Sequence, residues 1–185
     1  RVRAWSRGSR RCRWLPDCGG IPLTQKTMLV GHGGWGDGDY GDFMGSPITL
    51  NDYRQIEDLV MDDKVRLKEK LTALGREAAD HIEGLLQNAF LTHEHVVLAT
   101  HVPPFVQSCW YKGFATLNTW TPHFTCRAVG ERLLDIMAIH HDRSLHVVCG
   151  HTHSGGQIQM RDNLLVVTGG ATYGAPEVQM PIKIR

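Results

Sequence analysis

Three short runs of aliphatic and β-branched residues constrain the fold of this chain more than any other feature: Thr27-Met28-Leu29-Val30, Val96-Val97-Leu98-Ala99-Thr100 and Leu145-His146-Val147-Val148-Cys149. Each is too short and too β-branched for a helix, so each reads as a buried strand. Between the first two, over residues 51–90, Leu67, Leu71, Leu74, Ala78, Ile82, Leu85 and Ala89 recur at three- and four-residue steps with Lys, Glu and Asp between them. That spacing predicts an amphipathic helix, with Asn51 as its N-cap and Gly75 or Gly84 as weak points. Between the second and third strands, Val129, Leu133, Leu134, Ile136, Met137 and Ile139 predict another. After the third, strands around residues 157–160 and 164–168 flank the turn-prone Arg161-Asp162-Asn163 and predict a hairpin. Strands alternating with helices, then a hairpin, predict an α/β domain with a mixed sheet.

At 42% hydrophobic content over 185 residues, the chain has material for one ordinary core. Six arginines and no acid fall in residues 1–13, leaving fourteen bases against nineteen acids in the rest. Residues 1–13 are therefore set apart as a basic segment outside the core: a nucleic-acid arm, a transit-type segment or a displaced start. Residues 14–185 are expected to form one partial domain. The five cysteines are odd in number and form no C-x-x-C pair, which argues against a disulfide framework or a cysteine zinc site and fits a reducing, cytoplasmic setting. No apolar stretch approaches the roughly 20 residues of a membrane span. The aromatic stretch Phe105, Trp110, Tyr111, Phe114, Trp120, Phe124 could be a lid, a dimer contact or core. Lys112 and Arg127 are too few among these rings to indicate nucleic-acid stacking.

The chemistry concentrates in histidines. Gly150-His151-Thr152-His153 follows a buried strand, and in extended chain the side chains of i and i+2 leave on the same side. Neutral imidazole is a common ligand of transition metals, and two ions about 3.5–4 Å apart could each take one ring. His101, at the end of another strand, supplies a third imidazole, and loops leaving strand ends on one edge of an α/β sheet commonly assemble a site.

Thr100-His101-Val102-Pro103-Pro104 and Gly150-His151-Thr152-His153 resemble the last two metal-binding motifs of calcineurin-like metallophosphoesterases, a resemblance covering roughly residues 27–172. It implies part of a metallophosphoesterase-like mixed β-sheet sandwich flanked by helices. It also implies hydrolysis of a phosphoester substrate with two divalent metal ions, Mn, Fe or Zn, for which imidazole and carboxylate ligands are suited. By that resemblance His101 and His151 would ligate one metal and His153 the other. The family's earlier motifs, D-x-H and G-N-H, do not occur. Gly38-Asp39-Tyr40-Gly41-Asp42 matches G-D-x-x-D by letter only, as a chance occurrence in a Gly/Asp-rich loop. Gly31-His32-Gly33-Gly34-Trp35 is placed just after the G-N-H position, so that His32 and Asp37 would touch substrate; a structural turn with Trp35 packed is the alternative. With part of the ligand set missing, two other functions stay open: a non-catalytic metallophosphoesterase remnant, and a mononuclear zinc hydrolase using the three histidines. The sequence names neither the substrate nor the oligomeric state.

Overall fold

A computed structural model of the chain describes residues 2–9, 11–115, 119–179 and 181–184, with only the backbone for Phe114 and Ala115. Arg1 and Arg10 of the basic segment and residues 116–118 of the aromatic stretch lie outside these. In chain order the elements are α1 (Val2–Gly8), β1 (Ile21–Pro22), β2 (Thr27–Gly31), α2 (Asp52–Gln55), α3 (Lys64–Phe90), β3 (His95–Ala99), β4 (Trp110–Tyr111), β5 (Phe114–Ala115), α4 (Thr121–Phe124), α5 (Arg127–Ile139), β6 (Ser144–Cys149), β7 (Gly156–Arg161) and β8 (Leu164–Thr168).

The main sheet is mixed and six-stranded, in the order β1-β2-β3-β6-β8-β7. β2, β3, β6 and β8 run parallel, and antiparallel β1 and β7 form the edges. Alternate strand residues, Val96 and Leu98, Leu145 and Val147, Leu164 and Val166, turn into one core with Ile82, Leu86 and Phe90 of α3 and Leu133 and Met137 of α5. Period-2 strands and period-3.6 helices thus contribute their apolar faces to the same layer. Arg132 of α5 pairs with Glu83 and Asp80 of α3 across the outer surface of that layer. A second sheet is the two-stranded ribbon β4–β5. Among the described residues, no helix is long and apolar enough to cross a membrane.

The single helix expected over residues 51–90 is instead three elements. α2 lasts one turn, Glu57–Leu59 forms a 3-10 turn, and α3 starts only at Lys64. Asn51 makes no side-chain cap, whereas the Asp63 carboxylate accepts from the Val65 N–H at 2.8 Å and satisfies one of the free donors of the first turn. The break lets Tyr53 and Leu59 fold back with Phe43, Leu67 and Leu71 into a second, smaller apolar cluster. Local helical periodicity gave way here to burial.

Gly130 sits where α5 meets the loop after β3. A Cβ there would lie 2.1 Å from the Pro104 carbonyl oxygen, so only glycine lets the two approach this closely. The Cys126 N–H donates to the Pro103 carbonyl at 3.0 Å in the same contact. The loop carrying His101 is therefore clamped from below.

Candidate functional site

β2, β3 and β6 run parallel, so their following loops leave from one edge of the sheet. Backbone hydrogen bonds tie these loops together: His32 N–H to the Ala99 carbonyl at 3.0 Å, His101 N–H to Gly33 at 2.9 Å, and Gly150 N–H to His101 at 2.9 Å. The register, with Ala99 opposite Val148, brings His101 and His151 side by side. Their ring centroids are 4.7 Å apart and 62° inclined. Trp35 stacks on His101 at 5.7 Å and lies 5.3 Å from His151, and Phe124 closes the other side of His151 at 4.6 Å.

His151 and His153 do not sit in extended backbone, the basis on which the sequence placed their rings together. Their φ values are 67° and 57°, both in the left-handed region that non-glycine residues seldom occupy. His151 turns inward, while His153 is exposed and meets the edge of Tyr173 at 4.7 Å. His101, His151 and His153 nonetheless line one cavity of about 760 Å³.

Burial holds the His151 ring down to a pKa of about 4, with neighbouring His101 adding to the effect. Burial lowers His101 too, partly opposed by the Asp52 carboxylate. Both imidazoles are neutral at pH 7. The His151 ring is hydrogen-bonded to the His123 backbone, and its Nε2 is buried with no partner. With its ring N–H given to the His123 carbonyl, the neutral His151 ring keeps Nε2 as a buried lone pair, which accepts a hydrogen bond or coordinates a cation but donates nothing. The metal set implied by the resemblance is a different matter. Among the described residues, no three His, Cys, Asp or Glu side chains stand where they could hold an ion, so the residues present do not fit a closed one- or two-metal centre.

His32 and Asp37, the expected substrate contacts, lie outside the cavity lining. His32 packs its ring edge on His81 at 5.0 Å, and its Nδ1 accepts the Gly34 N–H at 3.0 Å. Asp37 is fully buried and accepts from the backbone N–H of Ala128 at 2.8 Å and of Asp39 at 3.0 Å. Its carboxylate thus closes the N-terminus of α5, where free N–H groups favour negative charge. Burial raises its pKa, and those hydrogen bonds oppose the shift. Asp39, within the G-D-x-x-D letters, pairs with Lys68 of α3. The glycine-rich loop meets the histidines through Trp35, the residue assigned to packing.

Asn51, Asp52, Gln55 and Tyr173 also line the cavity and were not assigned to it by the sequence. Asn51 looked like a helix cap, and Tyr173 stands in a segment with no periodicity. Only the third dimension connects them to histidines well separated from them along the chain.

No family model matches the sequence, and no curated protein matches it. Among solved structures, the chain is similar to a dimetal phosphatase from Danio rerio, with 15% identity and a TM-score of 0.44 over 82% of this chain and 48% of that one. The chain spans about half the length of that protein. A likeness of this degree carries no argument about function.

Proposed function

We propose that this chain is a domain of the phosphoester-hydrolase type: its cavity receives a phosphoester against His101 and His151, and it supplies the histidine part of a catalytic set without completing it. The observation that carries this is the juxtaposition of the two neutral imidazoles, 4.7 Å apart, on the wall of one cavity of about 760 Å³. The words Thr-His-Val-Pro-Pro and Gly-His-Thr-His around them support it.

Hydrolysis of a phosphoester needs an activated water, compensation of the charge on the phosphoryl oxygens, and a proton for the leaving alkoxide. No Lys or Arg is among the described residues lining the cavity, and Asp52 adds negative charge. His101 can donate a ring N–H to a phosphoryl oxygen, whereas His151 Nε2 can only accept from a protonated phosphate hydroxyl, and neither neutral ring compensates that charge. Binding without turnover is the consequence. Calorimetric titration of p-nitrophenyl phosphate should show binding that His151→Ala weakens at least tenfold. Release of p-nitrophenol should stay at background with or without added Mn²⁺. Equal binding by the variant, or robust Mn²⁺-dependent turnover by residues 1–185, would contradict the proposal.

A further inference from the structure

We infer that the cavity selects phosphoesters whose alcohol half is a planar aromatic group, gripped by Tyr111, Trp120 and Tyr173; this rests on the proposal that the cavity takes a phosphoester. These three residues belong to the β4–β5 ribbon, the start of α4 and the C-terminal segment, yet all line the same cavity. All three are exposed, at 58%, 42% and 89%. Single exposed apolar side chains are ordinary, but three aromatic ones converging on one concavity mark a binding surface.

Each ring is braced rather than loose. The ribbon turns at Lys112-Gly113, both at positive φ, and is fixed by Trp110 lying flat on the start of β7. A Cβ on Gly156 would meet that indole at 2.4 Å, so glycine is required for the contact. Trp120 rests on Phe124 at 5.8 Å, and Tyr173 on His153 at 4.7 Å. The grip therefore abuts the histidines, so one ligand can reach both.

The rest of the wall sets the polarity of that ligand. Asn51 and Gln55 offer uncharged donors and acceptors, Asp52 a carboxylate, and none of the described lining residues is a cation. Lys112 holds its ammonium 5.3 Å from the centre of the Tyr111 ring, so a small phosphate compound meets a cation beside the grip but has no planar surface to bury there. An aryl or nucleobase ester loses planar apolar area to the rings and can satisfy the amides at its edge. The Asp52 charge reaches both His101 and His151, so it opposes a second negative charge there, and the rings supply the gain in binding.

The test compares 2-naphthyl phosphate, glycerol 3-phosphate and 2-naphthol by titration calorimetry on the full chain and on Trp120→Ala and Tyr173→Ala. Tyr173 is so exposed that its truncation leaves the fold intact. The expected result is at least tenfold tighter binding of 2-naphthyl phosphate than of glycerol 3-phosphate, with the ratio falling at least threefold in each variant. Equal affinity for the two esters, a ratio unchanged in both variants, or no binding of any of the three overturns the inference. 2-Naphthol binding as tightly as its phosphate would uphold the aromatic grip and remove the phosphoester proposal, so the two fail separately.

Discussion

His123 shows at the scale of one residue how burial decides chemistry. It is 1% exposed, with Nδ1 2.8 Å from the Tyr53 hydroxyl and Nε2 3.0 Å from Ser46 Oγ, and its ring lies 5.0 Å from Phe43. Burial, with some repulsion from Lys64, lowers its pKa to about 4. The folded state therefore holds it neutral at pH values where the unfolded chain, titrating near 6.5, is already protonated. Its contribution is complete above about pH 6.5 and is lost as pH falls toward 4, by about 2 kcal/mol between pH 7.5 and 5. Buried His151 acts in the same direction. Urea denaturation at these two pH values should show the loss, and His123→Gln, which cannot take up the proton, should reduce it by about half. A pH dependence unchanged in the variant would contradict the assignment. Nothing in the sequence separated His123 from the other ten histidines, because burial is a property of the packed molecule.

At the scale of elements, the sequence was most legible where one period dominated. The β-branched runs that became β2, β3, β6 and β8, the stripe that became α5 and the C-terminal end of α3 were read within a few residues. β1, β4 and β5, two residues each, are too short to carry any period, and the ribbon passed as an aromatic loop. The start of α3 was misplaced because a repeating apolar stripe says where a helix packs, not where its first free N–H groups find an acceptor. The Asp63 side chain is that acceptor. Asp63→Ala should lower the unfolding free energy by about 1 kcal/mol and speed amide exchange in the first turn of α3. No change in the urea midpoint would return the cap to the upstream segment.

At the scale of the whole molecule, the candidate site lies where loops after parallel strands meet, and only its histidines stand out in the sequence. His101, His151 and His153 could be picked out because each follows a buried strand or closes a short motif. Their relation to Trp35, Asp52 and Tyr173 could not, since it depends on three loops closing over one sheet edge. The same loops place the Asp37 carboxylate on the N-terminus of α5, outside the cavity lining. The central claim is that a phosphoester sits against the His101–His151 pair. Its most direct measurement is an NMR titration of the assigned histidine ring resonances with phenyl phosphate, assignments being made with single His→Gln variants. The His101 and His151 ring signals should move saturably and together, while those of His93 and His140, outside the cavity lining, stay in place. Binding detected in solution with both cavity signals unmoved would contradict the account.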